Sequence, residues 1–257
     1  MNHHPGHARH VASAGLSLLL LAIALPAHGH YFWLSPDRHA VEGHQDITLT
    51  LGWGHEPGDE TLSVRRMLGA ARHDPAGQRS RLLLTDEDGI SGLTLETDGW
   101  HILEGHQARG YWTRTVEGGK RGSLQEYPNA SHCSYSQNTA KSYIQVGESH
   151  TGADRITQPL GHGLEIIPLD WPLDDGDQTG MRIQVLQFGE PLENAVVTAY
   201  GAEADQALTS ETDAEGKSHL KLTASGRWLI HTESTIPFHD QSLCTDHSLN
   251  ATLTFTR

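Results

Sequence analysis

The sequence predicts an all-β protein in which two consecutive β-sandwich-like units follow an N-terminal signal peptide. Short segments of alternating apolar and polar residues are separated by turn residues, and the 257-residue chain contains 27 Gly. No segment keeps an apolar period of 3.6 over a dozen residues, which disfavours helices. We expect a signal peptide over residues 1–27, a sandwich over 28–168, an acidic linker over 169–180, and an Ig-like or prealbumin-like sandwich over 181–257.

The first apolar segment, AGLSLLLLAIALPA, follows a polar start and is shorter than the roughly 20 residues of a membrane-spanning helix. It is typical of a secretory signal peptide, so we expect a periplasmic mature protein without a membrane span. Small residues permit cleavage after Ala24, Ala27 or Gly29. Four of the 19 His precede this segment and would leave with it.

The cleavage point determines the chemistry of His28 and His30. Cleavage after Ala27 places His30 third from a free amine, an arrangement that can wrap Cu(II) or Ni(II) in a square plane. Cleavage after Gly29 makes His30 the first residue, which can bind copper through its amine and its ring. The alternative is that both histidines only flank the first strand.

Alternating segments predict strands in the first sandwich: DITLTLGWG, RLLLTD (residues 81–86) and KSYIQVGE. GLTLETDGWHILEG predicts two strands joined by a turn at Asp98 and Gly99. LSVRRMLGAAR is the one mild helical candidate. Tyr31, Phe32 and Trp33 are expected to bury the first strand, and core packing is also the expectation for Trp100, Tyr111 and Trp112.

The second sandwich is preceded by a strand that ends at Pro168 and by the acidic residues Asp174, Asp175 and Asp177, which suit a solvated linker. Further strands are predicted in GMRIQVLQFGEPLENAVVTAYG and ALTSETDAEGKSHLKLTASGRWLIHTES, with turns at residues 189–191 and 213–216. The segment NATLTFTR predicts another strand.

The composition disfavours several classes of function. A net charge of −14 opposes binding to nucleic acid or to anionic membranes. The sequence has no Gly-x-Ser-x-Gly elbow, phosphate loop or His-Glu-x-x-His helix, so we expect no enzyme activity. The sharpest enzymatic alternative is a copper oxygenase that uses His30 as its first residue and a second His from the body of the fold.

The two cysteines, Cys133 and Cys244, belong to no Cys-x-x-Cys pair. In an oxidising compartment they can form one disulfide, and the alternative is two free thiols. A disulfide would bring His132 close to the segment that holds His239 and His247.

The C-terminal part resembles the carboxypeptidase-regulatory-like sandwich in GEPLENAVVTAY and in the turn Thr212 to Gly216. The mature chain resembles a secreted family of unknown function that is found beside nickel and cobalt uptake systems. The matching segments are HYFWLSP, LGHGLEIIPLDWP, the same turn, and GRWLIHTE.

This resemblance implies a non-enzymatic protein that binds a divalent transition metal, nickel or cobalt first and copper second, as an accessory to metal uptake. A membrane metal-uptake transporter or an outer-membrane receptor would be its partner. The candidate metal ligands are imidazoles, the commonest metal ligands in proteins: His28, His30, His132, His231, His239 and His247. His101 and His106 are expected on exposed strand and loop and are left out. The alternative function is a metal-free sandwich that docks on such a partner.

Overall fold

A computed structural model describes residue 1 and residues 30–43, 45–84, 90–171, 180–222 and 224–257. The predicted signal peptide, its three cleavage points and His28 lie outside the described residues. Most of the predicted acidic linker, with its three aspartates, also lies outside them.

The first half of the described chain consists of eleven strands and one 3-10 turn over Val64–Arg66. The strands are β1 (Tyr31–Pro36), β2 (Ala40–Val41), β3 (Asp46–Gly54), β4 (Glu60–Thr61), β5 (Met67–His73), β6 (Arg79–Arg81), β7 (Ile90–Thr94), β8 (Gly99–Gln107), β9 (Gly110–Thr115), β10 (Gly118–Arg121) and β11 (His132–Val146).

The second half begins with a single helical turn, α1 (Ala153–Ile156), and continues with eight strands. These are β12 (Leu164–Pro168), β13 (Met181–Gln187), β14 (Glu190–Pro191), β15 (Val196–Gly201), β16 (Leu208–Glu211), β17 (Lys217–Leu220), β18 (Arg227–Pro237) and β19 (Asp246–Thr256). Among the described residues, no helix is long and apolar enough to cross a membrane.

A large sheet of 11 strands extends through both halves of the chain, in the main order β16-β15-β18-β19-β11-β8-β5-β6. Strand β11 joins the halves, because it pairs in parallel with β19 and antiparallel with β8 and β9. Two smaller sheets complete the structure, one of β1, β3, β4 and β7 and the other of β12, β13, β14 and β17.

The two small sheets cover opposite faces of the large one. Ile102 and Leu103 are neighbours on β8, yet Ile102 packs in the core beneath β12 and β13, whereas Leu103 packs in the core beneath β1 and β3. Successive residues of a strand point to opposite faces, so each small sheet encloses its own apolar layer. The all-β class with two sandwich-like units is therefore confirmed, and the units share the large sheet.

Several predicted elements agree with the structure. Strand β3 has the predicted bounds, and β12 ends at Pro168. Tyr31, Phe32 and Trp33 are all buried.

Four local predictions are wrong. Residues 64–73 form a 3-10 turn and strand β5 instead of a helix, and strand β6 ends at Arg81. Strands β7 and β8 are not partners in a hairpin, because β7 pairs with β3 whereas β8 pairs with β5 and β11. Gly99, with φ of 124°, begins β8 where the chain crosses from one sheet to another. Trp112 is 52% exposed rather than packed in a core.

Candidate metal centre

The candidate site is built around Glu104, a carboxylate that β8 buries in the large sheet. Glu104 is only 4% exposed. It shares a face of the strand with His106, because residues two apart in a strand point the same way. On the neighbouring strand β5, Ala71 lies opposite Glu104, so His73 reaches the carboxylate from the diagonal position.

Four nitrogen-bearing side chains surround the two oxygens of Glu104. His162 Nε2 lies 2.9 Å from Oε2, and His106 Nε2 lies 3.7 Å from the same oxygen. His73 Nε2 lies 3.3 Å from Oε1, and Arg79 Nε donates to Oε1 at 2.5 Å. Arg79 lies opposite His73 on β6, which brings its guanidinium to the same oxygen.

A second buried ion pair positions His162. Lys141 on β11 and Glu165 on β12 lie 2.8 Å apart, and both side chains are almost fully buried. Glu165 also accepts backbone hydrogen bonds from Leu160, Gly161 and His162, at 2.8, 3.0 and 3.2 Å. Gly161 has φ of 86°, which favours glycine, so the turn wraps around this carboxylate. Glu165 therefore fixes the backbone that carries His162.

The protonation states of Glu104 and His162 suit metal binding. Burial acts to raise the pKa of Glu104, but hydrogen bonds from His106, His162, His73 and Arg79 outweigh it and hold this pKa well below its usual range. Burial lowers the pKa of His162, although the carboxylate of Glu104 opposes that shift. The carboxylate is therefore ionised and His162 is neutral at pH 7, and these are the states that bind metals.

Glu104, His106 and His162 can present one ligand atom each within 4.8 Å of one another. Within the described part of the chain, no other group of three or more His, Cys, Asp or Glu side chains has this property. The rings of His106 and His162 lie 4.8 Å apart at 79°. The side chain of His106 is 29% exposed and that of Arg79 is 58% exposed, so an ion could enter from this side.

The disulfide region lies elsewhere in the fold. Cys133 and Cys244 are bonded to each other. His132 Nε2 lies 3.4 Å from an oxygen of Asp246, while His239 and His247 pack near Phe238, with ring centres 4.3 and 6.2 Å away. The disulfide thus joins the segments that carry these histidines, but the three do not form one of the compact groups of ligand atoms found in the described residues.

His231 has a packing role. It is 7% exposed, its Nε2 lies 3.0 Å from Oδ1 of Asn250, and its ring stacks on Tyr31 at 3.6 Å. Trp228 and Ile230 face one core while Leu229 faces another, as expected for successive residues of a strand. His30 is exposed, and its ring lies 4.4 Å from that of His55.

The sequence reasoning missed the residues that form the compact cluster. His106 was left out as an exposed residue, and His101, expected to be exposed, is 1% exposed and bonds to the carbonyl of Thr97 at 2.7 Å. A usable signal was present, since Glu104 lies in a segment predicted to be a strand and His106 follows just beyond its predicted end, at the two-residue spacing that puts side chains on one face. His162 also lies in one of the segments that carried the family resemblance.

Residues 27–236 of the chain match one family model, which is described as a domain of unknown function, DUF4198. No curated protein matches the chain. Among solved structures it is similar to a bacterial ice-binding adhesin that is described in connection with host cell surface retention. The identity is 9% and the TM-score 0.27, over 89% of this chain and 63% of that one.

Two further solved structures are similar. The first is a tetra-tandem repeat from the extending region of a large adhesion protein, with 13% identity and a TM-score of 0.24, over 89% of this chain and 49% of that one. The second is a two-domain fibronectin type-III segment of chicken tenascin, with 9% identity and a TM-score of 0.22, over 84% and 94%. The chain thus spans less than two thirds of either adhesin fragment.

Proposed function

Since the chain belongs to the DUF4198 family, whose function is unknown, we propose a function from its own side chains: binding of a divalent transition metal by Glu104, His106 and His162. The observation that carries this proposal is the convergence of three ligand atoms within 4.8 Å of one another. His73 lies outside this compact group and contacts the other oxygen of Glu104.

The choice of nickel or cobalt, with copper second, rests on the family resemblance, because this donor set does not by itself distinguish these metals. Imidazole nitrogens suit nickel, copper and zinc, and the carboxylate adds a harder oxygen ligand. Buried ligands that are positioned by further hydrogen bonds hold metals more tightly than mobile surface ligands. Here Glu165 supplies that support by fixing the backbone of His162.

Arg79 supplies the positive charge beside Glu104 when no metal is bound. Its guanidinium donates to the same carboxylate that a metal would use, so the buried charge of Glu104 is neutralised in either state. An incoming ion would displace Arg79, whose side chain is 58% exposed and can turn into water. The affinity of the site for the metal is therefore reduced by the free energy of the hydrogen bond between Arg79 and Glu104 that is lost.

The proposed biological setting is the periplasm, where the protein would act without catalysis as an accessory to metal uptake. The signal-peptide pattern and the family resemblance support this setting. The partner would be a membrane transporter or an outer-membrane receptor. A sandwich that docks on such a partner without metal is the alternative, and it predicts that no variant of the cluster affects docking.

The proposal is tested by titrating the full chain with Ni(II), Co(II) and Cu(II), using calorimetry and native mass spectrometry. We expect one Ni(II) or Co(II) per chain, and we expect His106→Ala and Glu104→Gln to weaken binding by more than about tenfold. His106→Ala is the cleaner variant because that side chain is partly exposed. His219→Ala is the matched control, since His219 is an exposed strand residue outside the cluster.

Three outcomes would overturn the proposal. The first is that no ion binds near pH 7. The second is that His106→Ala binds as well as the unaltered chain. The third is that His219→Ala weakens binding as much as His106→Ala does. The first outcome would favour the metal-free docking module.

A further inference from the structure

A second pair of histidines lies where β1 begins, away from the residues of the Glu104 cluster. His30 directly precedes β1, and His55 directly follows β3, the strand that pairs with β1. Their rings lie 4.4 Å apart at 80°. Tyr31 lies opposite Gly54 in this pairing, so the antiparallel register brings His30 and His55 together.

The segment that carries His55 is anchored. Tyr31 donates its hydroxyl hydrogen to the carbonyl of His55. Asp59 accepts backbone hydrogen bonds from His55 at 2.7 Å and from Glu56 at 3.2 Å. These bonds fix the backbone while the imidazole of His55 stays at an exposed position. An open cavity of about 900 Å³ is lined by Tyr31, His55 and His231 and gives an approach to this position.

Two imidazoles alone make a poor site for a transition metal, and no third His, Cys, Asp or Glu of the described chain completes this pair into a compact group. The missing ligand can come from the backbone. Ala27 and Gly29 supply the small third-last and last residues required for cleavage after Gly29, which would give His30 a free α-amine. An amine and an imidazole on one residue form a bidentate clamp, and three nitrogens suit copper.

We propose that cleavage after Gly29 completes a copper site made of the α-amine and ring of His30 and the ring of His55. The site would be absent from the precursor and would form only in the processed chain. Charge supports it, because Asp59 bonds to the backbone of His55 and lies close enough to interact electrostatically with both histidines. This inference rests on the exported state in the proposed function, but it uses none of the Glu104 ligands.

The first measurement is the intact mass of the chain expressed with its own leader and purified after export. The proposal expects His30 as the first residue. Any other first residue overturns it, including His28, which would instead create the square-planar arrangement based on the third-position histidine.

The second measurement compares two purified chains that both begin at His30, one with a free α-amine and one with that amine acetylated, each titrated with Cu(II) and examined by electron paramagnetic resonance. The chain with the free amine should bind one Cu(II) at this site with nitrogen hyperfine structure. The acetylated chain and a His55→Gln variant should bind about tenfold more weakly or worse. Equal Cu(II) affinity and equal spectra for the two chains would overturn the proposal.

The two proposed sites can be separated by variants. His106→Ala in the chain that begins at His30 should lose Ni(II) binding and keep the amine-dependent copper signal. His55→Gln should do the reverse. Absence of Ni(II) binding in the unaltered chain would overturn only the Glu104 site, and absence of the amine-dependent copper signal would overturn only the site at His30 and His55. The His55→Gln result also requires an unchanged circular dichroism spectrum, which we expect because the side chain is exposed.

Discussion

Lys141→Met should destabilise the fold strongly, because it leaves the carboxylate of Glu165 buried without its cation. Lys141 Nζ lies 2.8 Å from Glu165 Oε1, and the two side chains are 3% and 2% exposed. Removing one partner of such a pair costs about 3–5 kcal/mol, since the remaining charge cannot regain water. Three backbone N–H groups still bond to Glu165, so the lower part of this range is the better expectation: about 3 kcal/mol.

The assay is urea unfolding followed by the fluorescence of the six Trp residues, with circular dichroism as a second probe. A double variant, Lys141→Met with Glu165→Gln, is the control, because it removes the uncompensated charge while keeping one acceptor oxygen. It should be more stable than Lys141→Met alone. A cost below about 1 kcal/mol for the single variant would refute the reasoning, and so would a double variant that is less stable than the single one.

Three further predictions concern other parts of the molecule. Burial lowers the pKa of His39 to about 4, so the folded state disfavours its protonation. The free energy of unfolding should therefore be unaffected by His39 above pH 6.5 and should fall by about 3 kcal/mol as the pH drops to 4. His39→Gln should remove that part of the pH dependence in urea unfolding at pH 7 and pH 4, and an unchanged slope would contradict this. Replacing both Cys133 and Cys244 by Ala removes a disulfide that joins residues 111 positions apart and should lower the free energy of unfolding by up to about 5 kcal/mol in the same assay. A decrease below about 1 kcal/mol would show that the disulfide contributes little to stability. Arg79→Gln removes the competing cation at Glu104 and should tighten Ni(II) binding by about fivefold. This expected gain in affinity is small because the Arg79 side chain is more than half exposed and its ion pair is screened by water. Weaker Ni(II) binding in calorimetry would argue against displacement of the arginine.

The strands were predictable because their signal is local. Period-two alternation fixes which residues of the first part of β3 face a core, and the structure agrees there. The failed hairpin at residues 92–105 shows the limit of local reasoning. A turn signal at Asp98 and Gly99 indicates that the chain bends there, but it does not say which strand each arm will pair with.

The compact His and Glu cluster was not predictable in the same way. Its ligands come from β8 and the turn before β12, and 58 residues separate Glu104 from His162. Contacts at such separations depend on sheet order, which alternation does not determine. The histidines chosen from the sequence were those in the N-terminal segment and near the cysteines, together with His231, whereas the decisive feature was a glutamate among apolar residues on β8. A buried carboxylate requires partners, and those partners formed the candidate site.

The position of β19 has a consequence for how the chain folds. This strand follows all the other described strands in sequence, yet it lies in the interior of the large sheet, between β18 and β11. Its parallel pairing with β11 links residues more than a hundred positions apart, such as Ser134 and Asp246. Loops of that length close slowly, and no chain that stops before Asp246 can form the middle of the sheet. Folding of the large sheet should therefore be a late event that begins only when the whole segment from β11 to β19 is present.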